Sequence, residues 1–257
     1  MPTFPPLLPG EKLEKVNENI SLIRKTDGLT FGTDAYLLAA YVGRSPNSLA
    51  VDLGSGTGIL PLLLLAREKI GRAVAVEVQA AFGELIARNA ALNQMTDRLT
   101  PLCVDLRELP SPSLPAECAD IVLSNPPSMK ADSGKLNPSE AKQIARHEIC
   151  GDIRDFCRTA SSILKYGGKF YCVYRPDRLV DLLDAMRHHG LEPKRMTLVH
   201  ATANAAPSMV LVEAKKGAAP SLTLTRPLLL TEEDKVTQSE DAKRIYETCS
   251  FADFWKV

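Results

Sequence analysis

The amino-acid sequence predicts an α/β fold built on a doubly wound, mostly parallel sheet. Short apolar segments alternate with helical segments of about ten to fifteen residues from Leu49 to Gly190, and such alternation requires parallel crossover connections. A glycine-rich turn, GSGTG, directly follows the first apolar segment. Two apolar segments, at 195–201 and 208–216, have no helix between them. They predict an antiparallel hairpin at the C-terminal end of the series.

The N-terminal residues predict a short hairpin and one helix. The segment ISLIRKTDGLTFG contains two strand-like stretches around Asp27-Gly28, a dipeptide that favours hairpin turns. The segment TDAYLLAAYV follows with helical periodicity, and Thr33 or Asp34 is predicted as its N-cap. Residues 1–45 are therefore predicted to form an N-terminal hairpin and helix extension.

The central residues predict the alternating strands and helices. The predicted strands are LAVDL, RAVAVEV, LTPLCVDL, ADIVLSN and GKFYCVYRP, and the predicted helices are GILPLLLLAREK, QAAFGELIARNAALN, IRDFCRTASSILKYG and DRLVDLLDAMRHHG. Gly167-Gly168 is predicted to stop the third of these helices, and Gly190 ends the fourth. Residues 46–217 are thus the predicted main domain, and residues 218–257 are a C-terminal tail.

Composition indicates a globular protein with one large domain. The 257 residues are 45% hydrophobic and carry no net charge at pH 7, so no overall field attracts nucleic acid. The six cysteines are scattered without metal-ligand spacing, and no metal site is expected. The longest apolar run, ILPLLLLA, is too short to span a membrane, and the N-terminus lacks a signal-peptide pattern. We therefore expect a cytoplasmic protein without a membrane partner.

The glycine-rich turn predicts a ligand site. In AVDLGSGTGIL, Gly54, Gly56 and Gly58 stand between a strand and a helix, where glycine permits a sharp bend and a close approach of a ligand to main-chain N–H groups. The spacing is GxGxG rather than the GxGxxG typical of dinucleotide-dependent dehydrogenases.

Three acids near the ends of successive predicted strands fit a nucleoside-containing cofactor with an amino-acid tail. Asp52 precedes the glycines and can attract an ammonium group. Glu77 ends the next strand, where a carboxylate can accept both hydroxyls of a ribose. Asp105 ends the third strand and can accept an adenine amine. Acids rather than phosphate-binding groups favour S-adenosylmethionine, whose tail carries no phosphate.

The segment LSNPPSMK predicts an active loop for a planar amine. Asn125 follows the fourth strand, at the same edge of the sheet as the glycines. Its side-chain oxygen and the main-chain carbonyl of Pro126 can accept from the two N–H bonds of a conjugated amine and so expose its lone pair. Consecutive prolines, Pro126 and Pro127, stiffen the loop and offer no competing N–H. No strong base is needed, because the amine loses its proton after methyl transfer.

Four segments together resemble a known family. VDLGSGTGILPLLLL, SNPPSMKADSGKLN, IARHEI and YRPDRLVDLL are similar to the bacterial methyltransferases that modify adenine N6 beside the anticodon of a valine tRNA, within the methyltransferase small domain superfamily. The likeness extends from Ile20 to Lys215. It implies a Rossmann-like class I methyltransferase fold, S-adenosylmethionine as donor and tRNA as partner.

Carried over residue by residue, the resemblance assigns the site. It implies that Gly54 and Gly56 contact the cofactor, Glu77 its ribose and Asp105 its adenine. The residues themselves add Asp52, Gly58 and Asn125 to the predicted cofactor contacts. Asn125, Pro126, Pro127 and Ser128 form the predicted active loop.

Ser128 departs from the family pattern, which usually has an aromatic ring at this position. Such a ring would stack on a flipped-out base, an interaction worth roughly 1–3 kcal/mol, and Met129 is a candidate apolar substitute. Methylation of a protein glutamine, whose carboxamide needs no stacking, is therefore a second hypothesis. A third is a non-catalytic RNA- or nucleotide-binding protein that keeps the fold. Basic residues in 130–146 and 165–195 are candidates for an RNA-facing patch.

Overall fold

The computed structural model describes residues 5–26, 32–126 and 151–252. Its strands are β1 Glu11–Lys15, β2 Ser21–Lys25, β3 Ser45–Leu53, β4 Ile70–Glu77, β5 Leu99–Cys103, β6 Ala119–Ser124, β7 Leu164–Tyr174, β8 Leu191–His200, β9 Pro207–Lys216, β10 Thr223–Leu224 and β11 Leu228–Leu229. Its α-helices are α1 Thr33–Tyr41, α2 Ile59–Ala66, α3 Ala80–Leu92, α4 Ile153–Ile163, α5 Leu179–His188 and α6 Glu240–Thr248. The predicted alternation of strands and helices is confirmed.

The main sheet is mostly parallel, as predicted. Its strands lie in the order β10-β8-β9-β7-β6-β3-β4-β5, and β11 also pairs with β8. The strands from β7 to β5 in this order pair in parallel. Strand β9 is antiparallel to both β7 and β8, which confirms the predicted C-terminal hairpin. The order in which the strands are added to the sheet reverses at β3. Strands β4 and β5 lie on one side of β3, and β6 lies on the other.

This reversal positions the functional residues, because ligands of open α/β sheets bind beyond the carboxyl ends of the strands where the order reverses. The register pairs Leu53 with Ser124 of β6 and with Val76 of β4. The residues that follow these three positions, Gly54, Asn125 and Glu77, therefore start from neighbouring points of the same edge.

Helices cover both faces of the sheet. One apolar cluster includes side chains from α1, α2 and α6, and the other includes side chains from α4 and α5. Seven of the eight residues of α2 are buried, which explains why this helix is apolar all round. Within the described residues, no helix is long and apolar enough to cross a membrane.

The N-terminal hairpin exists, but its partner strand was not predicted. Strand β2 pairs antiparallel with β1, which precedes it, whereas the predicted turn at Asp27-Gly28 lies outside the described residues. Asn89 of α3 and Asn93, the C-cap residue of that helix, attach β2 to the domain. The Asn89 side chain accepts from Ile23 N at 2.7 Å and donates to Ile23 O at 3.1 Å. Asn93 makes the same pair of hydrogen bonds with Ser21.

The C-terminal tail packs on the main domain through α6 and a buried lysine. The Lys69 ammonium donates to Ala39 O at 2.7 Å, near the end of α1, and to Cys249 O at 3.0 Å, just after α6. A carbonyl-rich environment suits an ammonium group, since the ends of helices carry unsatisfied carbonyls. The domain boundaries at residues 45 and 217 stay predictions.

Several predicted element ends were wrong, and three of them concern residues to which the sequence assigned a role. Helix α4 ends at Ile163 and β7 begins at once, so Gly167-Gly168 lies inside a strand rather than at a helix end. The N-cap of α1 is Gly32, not Thr33 or Asp34. Strand β5 ends at Cys103, and Asp105 instead caps a short 3-10 helix, Leu106–Glu108. Sheet pairing and local side-chain hydrogen bonds outweigh propensity at such ends.

Candidate functional site

The glycine-rich turn has a backbone that requires glycine. Gly54, Gly56 and Gly58 have φ of 75°, 56° and 81°, in the left-handed region that side chains with a Cβ rarely adopt. The N–H groups of Gly54 and Ser55 both donate to Val76 O at 3.0 Å, which fixes the turn against β4. Gly58 is the N-cap of α2. The turn therefore presents the start of α2 to the edge of the sheet.

Glu77 connects this turn to the end of β4. Its Oε2 accepts from Gly56 N at 2.9 Å and its Oε1 accepts from Gln79 N at 3.0 Å. The residue is 4% exposed. Gln79 Nε2 also donates to Oε1, at 3.4 Å. A carboxylate has about four lone-pair sites, so one site remains for a ligand that approaches from the cleft. The carboxylate holds the glycine turn and is oriented by it.

Asp52 is a buried carboxylate with one free oxygen. Its Oδ2 accepts from Ser55 Oγ at 2.6 Å, while Oδ1 has no hydrogen-bond partner among the described residues. Burial raises the pKa of Asp52 to about 7, and the nearby charge of Glu77 adds to the increase, although the hydrogen bond from Ser55 opposes it. Leaving a buried oxygen unpaired costs free energy. A cationic ligand group, such as an ammonium, would pair with it.

The raised pKa of Asp52 predicts a loss of stability with rising pH. In the unfolded chain, where Asp52 has its ordinary pKa of 3.8, the carboxyl loses its proton at a lower pH than in the native state. The native state therefore binds more protons between about pH 4 and about pH 7, and the free energy of unfolding falls as pH increases over this range. The variant Asp52→Asn cannot ionise at this position, so its free energy of unfolding is expected to lack this pH dependence. Urea unfolding measured across this range compares the two proteins. A constant difference between them at about pH 5 and about pH 8 would contradict the prediction.

A cleft lies at the carboxyl ends of β3, β4 and β5, the three strands whose ends were predicted to contact the cofactor. The space within the cleft, together with the part open to solvent, has a volume of about 230 Å³. Its lining residues are Gly54, Val76, Glu77, Val78, Val104, Asp105 and Leu106. The structure thus brings together one glycine and two of the three acids that the sequence predicted. Val78, Val104 and Leu106 were not predicted, although each is adjacent to one of the acids in sequence. Their apolar side chains suit a flat ring between two polar ends of a ligand.

Asp105 is held by a neighbouring arginine. Its Oδ1 accepts from Arg107 N at 2.9 Å and the Arg107 guanidinium donates to both carboxylate oxygens. These hydrogen bonds are the main reason that the pKa of Asp105 lies below its ordinary value. The carboxylate therefore stays charged, but a ligand amine would share it with Arg107. A role for Asp105 in holding adenine stays a prediction.

Asn125 lies directly beyond β6, next to the glycine turn. Its Nδ2 donates to Asp34 Oδ2 at 2.7 Å, a contact that the sequence did not predict. Pro126 is buried. Pro127 and Ser128 lie outside the described residues, as does the basic segment 130–146. The catalytic role of the loop therefore stays a prediction.

The basic residues of 165–195 do not form one unpaired patch. Six of the seven are ion-paired with acids: Lys165 with Asp120, Lys169 and Arg195 with Glu213, Arg175 with Asp177, Arg178 with Asp181, and Arg187 with Glu192. Lys194 instead donates to Ala219 O at 3.0 Å. Arg175 and Arg178 follow β7 at the same edge as the cleft. Within the described part of the chain, no group of three or more His, Cys, Asp or Glu could hold a metal ion.

Two curated proteins similar to this chain share one name. No family model matches the chain. A tRNA1(Val) (adenine(37)-N6)-methyltransferase of Porphyromonas gingivalis is 29% identical over 184 residues, which are 70% of this chain and 71% of that protein. The protein of the same name in Dyadobacter fermentans is 26% identical over 206 residues, 80% of this chain and 83% of that protein. The predicted resemblance is confirmed.

Solved structures of other proteins have a fold similar to that of this chain. A predicted O-methyltransferase from Agrobacterium tumefaciens has a TM-score of 0.68 at 23% identity and covers 85% of this chain and 98% of its own. Pyrococcus horikoshii TYW2, solved with MeSAdo, has a TM-score of 0.56 at 18% identity, with 81% and 72% covered. These likenesses confirm the predicted Rossmann-like fold of class I methyltransferases.

Proposed function

We propose, from its resemblance to the tRNA1(Val) (adenine(37)-N6)-methyltransferases, that this chain is an S-adenosylmethionine-dependent enzyme that methylates an adenine N6 in tRNA. One observation carries the proposal. The glycine turn, Glu77 and Asn125 lie side by side at the point where the strand order reverses, so a cofactor and a target amine would meet there. The relatives match this chain over about 70% of its length.

Residues in and beside the cleft fit S-adenosylmethionine at three points. The unpaired Oδ1 of Asp52 suits the ammonium of the amino-acid tail. Glu77 has one acceptor site left for a ribose hydroxyl, and its long contact with Gln79 Nε2, 3.4 Å, can give way to a second. The apolar side chains of Val78, Val104 and Leu106 suit the adenine ring, with Asp105 at the same wall. Gly56 leaves open space where a Cβ would stand, which permits a close approach of a ligand to the turn.

The active loop would prepare the target amine. When bound, S-adenosylmethionine supplies a methyl group on a positively charged sulfur. Asn125 Oδ1 and the carbonyl oxygen of Pro126 accept from the two N–H bonds of the adenine amine and expose its lone pair. The amine nitrogen would form the new C–N bond, and the electron pair of the broken S–C bond would stay with the departing sulfur. The amine then releases a proton to water. Orientation and distance supply much of the rate enhancement.

A tRNA substrate is preferred over the other hypotheses. The curated relatives quoted above are named for a tRNA adenine, and none of them is named for a protein substrate or for binding alone. A flipped adenine must be held without the usual ring at Ser128, so other side chains must supply the apolar contact. A tRNA substrate also agrees with the expected cytoplasmic location.

Methyl transfer into tRNA is the expected result of a direct assay. We expect the purified protein to transfer labelled methyl groups from S-adenosylmethionine into a transcript of the valine tRNA with adenine at position 37. A transcript with guanine at that position is the matched control and should receive no label above background. Label in total protein but not in tRNA would favour glutamine methylation. No transfer to either, with the cofactor bound, would contradict the proposal and favour a binding protein.

A further inference from the structure

We propose that Asp34 is a positioning residue that fixes the orientation of the Asn125 amide for catalysis. This inference rests on the proposed function, because it assigns a role to the Asn125 oxygen toward the target amine. The observation that carries it is the hydrogen bond from Asn125 Nδ2 to Asp34 Oδ2, 2.7 Å long. The two residues are 91 positions apart in the chain.

The chemistry of the pair determines which end of the amide faces the substrate. An asparagine amide has one accepting end and one donating end, whereas an ionised carboxylate only accepts. Asp34 can therefore bind only the NH₂ end of Asn125. The oxygen end is then directed away from Asp34, where it can accept from an amine. With the amide reversed, an NH₂ group would face the substrate amine, and two donors would meet.

The Asp34 side chain is itself held in place. Its Oδ1 accepts from Ala35 N at 2.9 Å, and its position in the first turn of α1 favours a negative charge. The start of α1 is attached to the C-terminal tail, because Tyr246 OH donates to Thr33 Oγ1 at 3.0 Å. The rings of Tyr36 and Tyr246 also meet edge to face at 5.3 Å. A fixed support of this kind is what a catalytic group requires for its orientation.

Asp34→Asn is expected to lower kcat by about 10- to 100-fold, by analogy with the outer residues that orient metal ligands in enzymes. An asparagine at 34 can pair with either end of the Asn125 amide, so the reversed orientation becomes populated. The Kd for S-adenosylmethionine should stay close to that of the wild type. The matched control is Asp241→Asn, since Asp241 occupies the same second position of α6 and its ion pair is with Arg226. This control should keep the wild-type kcat.

A double variant distinguishes positioning from a purely structural role. If Asp34 acts through Asn125, then adding Asp34→Asn to Asn125→Ala should lower single-turnover methyl transfer into tRNA no further. An equal loss in both backgrounds would overturn the inference, because the effects of independent residues multiply. A wild-type kcat for Asp34→Asn would also overturn it.

A measurement without substrate keeps the inference testable if the proposed function fails. Hydrogen exchange of the Asn125 side-chain NH₂, followed by NMR, is expected to be about tenfold or more faster in Asp34→Ala, which has no acceptor at this position. The thermal midpoint of this variant shows whether it is folded. Unchanged exchange in a folded Asp34→Ala protein overturns the inference even if the wild type methylates tRNA. Absence of tRNA methylation by the wild type, with faster exchange in the variant, contradicts the proposed function alone.

Discussion

Replacing Asn125 by alanine is expected to reduce the rate of methyl transfer by about 100- to 1000-fold, the range found when one preorganised hydrogen-bonding group of an active site is removed. The Asn125 oxygen would act on the amine as its lone pair is exposed, and an interaction that strengthens in the transition state raises kcat rather than substrate affinity. Single-turnover kinetics with saturating cofactor measure this rate. The Kd for S-adenosylmethionine, measured by calorimetry, should change little.

The matched control for this substitution is Asn93→Ala. Asn93 holds the N-terminal hairpin through Ser21 and is the C-cap of α3, so its loss should lower the free energy of unfolding without lowering kcat. Comparison of the two variants separates lost chemistry from lost stability. Wild-type transfer by Asn125→Ala would mean that the Asn-Pro-Pro segment is only a rigid turn and that the catalytic assignment is wrong.

Glu77→Gln is expected to weaken S-adenosylmethionine binding by about 100-fold. Hydrogen bonds to a charged group are worth about 1.5–3 kcal/mol, against about 0.5–1.5 kcal/mol for neutral pairs. The carboxylate is expected to accept two bonds from the ribose, one of them in place of the 3.4 Å contact from Gln79 Nε2. A tenfold change in Kd corresponds to about 1.4 kcal/mol. The amide NH₂ would also face Gly56 N or Gln79 N, which now donate to the carboxylate. The weaker hydrogen bonds to the ribose and the unfavourable contact with a main-chain N–H therefore both lower the affinity for the cofactor.

The control for this variant is Glu213→Gln in β9. Glu213 is likewise a buried glutamate in a strand, and it is ion-paired with Arg195 and Lys169 at 2.7 Å each. Its replacement should reduce the free energy of unfolding and leave the Kd for the cofactor unchanged. Calorimetry with both variants tests the assignment. An unchanged Kd for Glu77→Gln would exclude Glu77 from the cofactor site.

The sequence by itself determined the fold class and the edge of the sheet that carries the site. Strand and helix periods are local properties, and they predicted the parallel sheet and its antiparallel end correctly. The requirement for glycine at positions 54, 56 and 58 is also a local property, because each of these residues has a positive φ within one turn. Because the carboxyl ends of parallel strands meet at one edge, the positions of Glu77 and Asn125 followed from the order of the strands.

Only the tertiary structure decided what each polar side chain contacts. The sequence assigned Asp105 to a ligand, and the structure shows that the Arg107 guanidinium donates to both oxygens of this carboxylate. It treated Asp34 as a candidate helix cap, whereas its carboxylate binds Asn125 across the fold. Burial of Asp52, and the pKa that results, depends on the helices packed over β3. The contact between Asp34 and Asn125 joins residues 91 positions apart, so its distance is set by packing and not by local pattern.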